Sequence, residues 1–167
     1  MMAGLAACTG SPHHTSAGTP AASAGRSPSS GSTGPFRLSA VASAYGMILE
    51  VGAGYPLYVF TQDTQTTSAC VGACAASWRP LLAVAFPHLG PGVRAGLIGH
   101  VHRPDGGIQL SYGGHPLYTD RADRSPGEIV GENMTAYGGR WQLVQTSGTP
   151  ARAPQPSPTP SSGGAGA

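Results

Sequence analysis

Between residues 36 and 148 the apolar residues gather in short runs bounded by glycines, the pattern of strands separated by turns. The clearest runs are Met47-Ile48-Leu49-Glu50-Val51 and Ile108-Gln109-Leu110-Ser111-Tyr112. The pattern predicts strands near 37–42, 46–51, 56–60, 96–103, 107–112, 115–119 and 140–146. Asp105-Gly106-Gly107 and Gly113-Gly114 carry turn chemistry, so 97–119 is predicted to form an antiparallel meander. The Ala-rich stretch 70–77 predicts one short helix, and Pro80, Pro87 and Pro91 mark a loop between two halves.

Those halves are related in sequence. Tyr55-Pro56-Leu57-Tyr58-Val59-Phe60-Thr61-Gln62-Asp63 recurs 60 residues on as His115-Pro116-Leu117-Tyr118-Thr119-Asp120-Arg121-Ala122-Asp123. Glycines precede each copy, and a tryptophan follows each: Trp78, 15 residues after Asp63, and Trp141, 18 after Asp123. The predicted class is therefore mainly β, a small pseudo-symmetric antiparallel domain over 36–148 built from two repeats, about 36–82 and about 96–146, that share one core.

The flanks have a different composition. Residues 1–35 and 149–167 are mostly Ala, Gly, Ser, Thr and Pro without hydrophobic periodicity. Such segments bury too little apolar surface to offset their ordering entropy, so both are expected to be disordered. The proline run 151–160 reads as an extended spacer or as a proline-rich ligand for a partner. Of the nine basic residues, all arginine, Arg26 and Arg152 lie in these flanks, which leaves seven against seven acids in the core. A neutral core and a net charge of +2 exclude a strongly basic nucleic-acid binder. No run of 18 apolar residues exists to span a membrane as a helix.

Leu5-Ala6-Ala7-Cys8 fits a lipobox: an aliphatic residue, two small residues that let a signal peptidase approach, and a cysteine thiol that takes a diacylglycerol. The 27 residues between Cys8 and Phe36 would give a flexible tether a mean reach of roughly 30 Å. A secretory signal needs a positive start and an apolar stretch of about 7–15 residues. Only seven uncharged residues precede Cys8, so the native start is expected upstream of Met1. The expected location is extracytoplasmic, lipid-anchored at the cell membrane.

With Cys8 assigned to lipid, Cys70 and Cys74 remain as a pair. Thiols at i and i+4 of a helical turn lie on one side, within reach of a disulfide. Three readings compete: a structural disulfide, a redox-active dithiol, and a metal or haem-linked site. The spacing is not C-x-x-C, no adjacent lysine or histidine lowers a thiol pKa, and no C-x-x-C-H supports covalent haem.

At these residues the chain resembles the bacterial secreted-repeat lipoproteins of unknown function, which carry a Tyr-x-aromatic-x-x-Asp motif. Tyr58-Val59-Phe60-Thr61-Gln62-Asp63 fits that motif, and Cys70-Val71-Gly72-Ala73-Cys74-Ala75-Ala76-Ser77-Trp78 resembles the family's cysteine–tryptophan segment. Gly113-Gly114-His115-Pro116-Leu117-Tyr118, Ser125-Pro126-Gly127-Glu128 and Gly138-Gly139-Arg140-Trp141 resemble further elements in the same order. Two departures stand out: Trp78-Arg79-Pro80 replaces the family's Trp-Pro-Pro, and Asp120 stands where the second copy should have an aromatic. If that aromatic lines a shared pocket, the second site here is degraded. The resemblance implies a cell-envelope location and supplies no activity.

Candidate chemistry is sparse. The repeat-motif residues Tyr58, Phe60, Asp63, Trp78, Tyr118, Asp123 and Trp141 read chiefly as structural, with each tyrosine bonding through its hydroxyl and each aspartate capping a turn. Asp63 and Asp123 are also the one carboxylate pair on which envelope-polymer hydrolysis could rest. His100 and His102 share a strand face and are candidate ligands for a copper-type metal, with His115 and Met134 as further donors. No Ser-His-Asp order, phosphate loop or H-E-x-x-H motif is present. The sequence thus points to a non-enzymatic binding or structural module of the envelope, with a redox or metal accessory protein as the alternative. No cofactor is expected. The expected partners are a membrane, through the lipid anchor, and an envelope protein or small ligand; the chain is expected to be a monomer and to bind no nucleic acid.

Overall fold

Each apolar run becomes a strand because its first partner lies only a tight turn away. The computed structural model describes residues 36–152 and 154; the lipobox with Cys8, the tether and most of the C-terminal flank lie outside the described residues. Strand β1 (Arg37–Ser43) folds back antiparallel as β2 (Gly46–Val51), with Leu38 opposite Val51 and Ser43 opposite Gly46. A glycine turn returns the chain as β3 (Tyr55–Pro56), followed by β4 (Tyr58–Phe60). Next come a five-residue helix α1 (Ala73–Ser77), β5 (Trp78–Pro80) and β6 (His88–Leu89). After a 3-10 turn over Ala95–Leu97, β7 (Ile98–His102), β8 (Ile108–Tyr112), β9 (His115–Pro116) and β10 (Tyr118–Asp120) restate the order of β1 to β4. The hairpin β11 (Thr135–Ala136) and β12 (Gly139–Leu143) follows.

Three sheets result, with strand orders β3-β2-β1-β6, β7-β8-β9 and β11-β12-β4-β10-β5. The five-stranded sheet interlocks the repeats. Tyr58 of β4 faces Tyr118 of β10 across an antiparallel pair, at the centre of the pseudo-symmetry. Each tryptophan strand then lies against the tyrosine strand of the other repeat: β12 on β4, with Trp141 opposite Phe60, and β5 on β10, with Trp78 opposite Asp120.

The mainly β, two-repeat architecture matches the sequence reading, and most strands fall within a residue or two of their predicted spans. The runs 56–60 and 115–119 each break in two, because Leu57 and Leu117 hand the chain from one sheet to the next. Leu57 N–H donates to Leu49 while its carbonyl accepts from Val144; Leu117 N–H donates to Leu110 while its carbonyl accepts from Leu81. The run 96–103 begins as the 3-10 turn rather than as strand. The helix starts at Ala73 instead of 70, after Gly72, whose φ of 57° is not helical. Strands β5, β6 and β11 have no counterpart in the sequence pattern, being two or three residues long and too short to leave a periodic signal. The sheets are also not wholly antiparallel: β6, inside the expected loop, pairs in parallel with β1, placing His88 opposite Arg37. The ordered edge runs past the expected boundary at Gly148, since Val144 bridges Pro150, and buried Ala151 donates its N–H to Leu143.

Two apolar clusters fill the domain, and each draws on both repeats. One holds Tyr58, Phe60, the cysteine pair, Trp78, Tyr118, Trp141 and Leu143. The other holds Leu38, Leu49, Leu57 and Val59 with Leu110, Tyr112, Leu117 and Val144. Full burial of such aliphatic and aromatic side chains contributes about 1.5–3 kcal/mol each.

Candidate functional site: two crossed tyrosine–aspartate pairs

Because β4 and β10 run antiparallel with their tyrosines opposed, each hydroxyl points past its own repeat and meets the aspartate of the other. Tyr58 donates to Asp123 Oδ2 at 2.9 Å, and Tyr118 donates to Asp63 Oδ2 at 2.8 Å. The remaining oxygen of each carboxylate closes a loop: Asp63 Oδ1 accepts the Ala69 N–H at 2.7 Å, and Asp123 Oδ1 accepts the Val130 N–H at 2.8 Å. Burial raises the Asp63 pKa from 3.8 to about 6 and pushes Asp123 upward as well. It raises both tyrosines further, with the facing carboxylates acting in the same direction. The hydroxyls therefore keep their protons and serve as donors. All four carboxylate oxygens of the two pairs are thus engaged in hydrogen bonds.

Between the pairs stand the two tryptophans. Trp78 and Trp141 stack face to face with ring centroids 3.9 Å apart and planes 1° from parallel. Phe60 covers the outer face of Trp141 at 4.3 Å and 12°. Tyr58 meets Trp78 edge-on, and Tyr118 meets Trp141 the same way. All seven repeat-motif residues named from sequence thus converge on one centre, and both tryptophans are core residues.

The two ends of the stack differ. Where Phe60 covers Trp141, the corresponding position beside Trp78 is Asp120. Gly131 fills the space there, pressed so closely by the Trp78 ring and Asp120 Oδ2 that a Cβ would collide with both. Asp120 Oδ1 accepts the Ala122 N–H at 2.9 Å, while Oδ2 is buried without a partner among the described residues. Asp120 is 7% exposed, and burial raises its pKa. It lines an open cleft of about 470 Å³ together with Val51, Tyr55, Arg79, Arg121 and Asp123.

Sequence reasoning missed the largest polar centre. Arg103, 4% exposed, donates to Ser68 Oγ, Gln109 Oε1 and the Cys70 carbonyl, and forms an ion pair with Asp105 at 2.7 Å. Ser68 Oγ is in turn 2.7 Å from the Tyr118 hydroxyl, so a chain of hydrogen bonds links Arg103 to Asp63. The one available signal was an arginine closing a run, 95–102, that holds no other arginine and no acid; this by itself does not distinguish a buried hub from a surface charge.

Cys70 and Cys74 form a disulfide with Cα atoms 5.2 Å apart; Cys74 lies in α1, and Cys70 precedes it. Both are buried. His100 and His102 are exposed on β7, and His115, on β9, is partly buried, which lowers its pKa. Among the described residues no three His, Cys, Asp or Glu side chains converge to hold a metal, so His115 does not complete a site with the other two. No helix among the described residues is long and apolar enough to cross a membrane.

This geometry defines a class: a β domain whose two repeats complete one another through crossed tyrosine–aspartate pairs. A lipoprotein family model described as a secreted repeat of unknown function matches residues 39–82 and 99–145, more than half of the chain. The chain belongs to that family. No curated protein and no solved structure matches it.

Proposed function

We propose that the chain is an envelope-anchored, non-enzymatic binding module. The crossed pairs and the tryptophan stack form its rigid frame, and the cleft at Asp120 takes the ligand. The observation that carries this reading is the cleft lined by Asp120, at the position that the other repeat closes with Phe60. The cleft supplies convergent polar groups beside apolar walls, the usual character of a small-molecule site. It suits a small ligand that turns an acidic group toward the exposed Arg79 and Arg121, with Asp120 in the cleft wall. The lipobox at Cys8 supplies the anchor.

The test is intact mass of wild type and Asp120→Phe purified from native membranes, measured under native and then denaturing, non-reducing conditions. The expected result is a diacylglycerol on Cys8, two hydrogens missing for the disulfide, and a small native adduct that Asp120→Phe lacks. An unmodified Cys8 overturns the anchor, and identical native spectra overturn the ligand site. A metal accessory role is the second reading, favoured by the two exposed histidines on one face of β7. A copper-sized mass lost in His100→Ala would replace the first reading with it.

A further inference from the structure

From Leu81 to Ala83 the chain runs extended along β8, where Leu82 bridges Gln109 and Ala83 N–H donates to Ile108, and it then bends at Val84 and Ala85 before Phe86. Its side chains alternate. Leu81 and Ala83 pack against the core, while Leu82, Val84 and Phe86 face outward. Alternation in a strand at the surface ordinarily sends polar residues outward. Here the outward residues are all apolar, and Val84 and Phe86 are 66% and 67% exposed. From Pro80 to Val93 the sequence contains no acidic or basic residue apart from His88. Such a run of exposed apolar side chains in an uncharged segment marks an interaction surface.

Its place in the fold indicates what covers it. His88, two residues after Phe86, donates its N–H to the carbonyl of Phe36 at 2.9 Å, and β6 pairs with the first residues of β1. The run therefore ends where the segment from Cys8 joins the domain. Exposed Arg37 lies at the same end, its guanidinium over Gly90. At the other end Leu82 packs near the carboxylate of Asp105 around Gly107. A cation at the tether end and an anion at the far end would lower Phe86 and Val84 first onto an anionic surface.

We propose that Val84 and Phe86 insert into the headgroup region of the membrane to which the chain is anchored, with Arg37 against anionic lipid. The inference rests on the anchor reading. Two apolar side chains make a weak membrane contact alone, but a tether of 27 residues holds them at a high effective concentration near the bilayer.

The experiment imposes the anchor, so its outcome is independent of native lipidation. Cys8 is the one thiol outside the disulfide and is coupled in the full chain to a maleimide lipid in phosphatidylglycerol vesicles that carry brominated acyl chains. Phe86→Trp, at an exposed position that leaves the core intact, reports contact; Trp78 and Trp141 are buried and give the background. The expected result is strong bromine quenching in Phe86→Trp above wild type, reduced severalfold when Val84→Ser and Arg37→Gln are added. Background-level quenching at complete coupling overturns the proposal. So does a doubling of mass in solution that Phe86→Ser abolishes, because a second copy would then cover the run.

Discussion

Around Tyr118 and Asp63 the surrounding polar group is a buried arginine; around Tyr58 and Asp123 it is another carboxyl, Asp120. The two pairs share donor, acceptor and supporting backbone amide almost atom for atom. At the first, Arg103 reaches Tyr118 through Ser68 and its positive charge lowers the Asp63 pKa against the upward push of burial. At the second, among the described residues no arginine bonds to Asp123 or Asp120, and the Asp120 carboxyl adds to the upward push of burial on Asp123. A duplicated frame has thus kept its local parts and diverged in the polar groups around it. Asp63, partly exposed, borders a small pocket beside His115, while the more buried Asp123 lines the wider cleft with Asp120.

The largest break in this comparison comes from the stack between the pairs. Trp141 has ring partners on both faces, Trp78 on one. Alanine at either position is expected to cost about 3–5 kcal/mol, with Trp141→Ala toward the top of that range and Trp78→Ala toward the bottom. The midpoint of urea unfolding measures the difference, and equal midpoints would show that Phe60 adds nothing to the stack.

Next comes the arginine. Arg103→Met leaves Ser68, Gln109 and the Cys70 carbonyl without their partner and should cost about 3 kcal/mol. Arg79→Met and Arg121→Met, at exposed sites, should change stability by less than about 0.5 kcal/mol. If Arg103→Met unfolds at the wild-type urea midpoint, the hub does not distinguish the two sites.

The smallest effect is in pH dependence. A carboxyl whose pKa is raised by folding holds its proton more tightly in the folded state. Its contribution is present at low pH and is lost as pH rises through the raised value. For Asp63 that window runs from 3.8 to about 6, and Asp120, Asp123 and Glu132 shift in the same direction. Asp105 shifts the opposite way, so its loss falls below the window. Thermal unfolding is expected to show a midpoint that declines as pH rises across the Asp63 window, and Asp120→Asn should make that decline shallower. A midpoint that climbs over the same range would contradict the assignment.

What the sequence made legible is what repeats within it. The doubled Tyr-x-x-x-x-Asp spacing marked both pairs, and the following tryptophans marked the core between them. That the pairs cross was not legible, because pairing between β4 and β10 depends on which sheet each strand enters after Leu57 and Leu117, a long-range choice that local periodicity does not encode. Arg103 was hidden for a related reason: its partners, Ser68, Cys70 and Gln109, come from separate segments that only the folded sheets bring together. Asp120 was legible as a departure from the motif, whereas its unpartnered oxygen required Gly131, eleven residues on, to be placed against it.

The exchange of tryptophan strands also orders events during synthesis. Made from its amino terminus, the first repeat emerges with β4 lacking the strand that covers it, since β12 lies some 80 residues further along the chain. Its own tryptophan strand, β5, has no strand to join until β10 appears. Neither half can reach its final form alone, so the newly made first half must stay open, with apolar edges uncovered, until the last hairpin arrives.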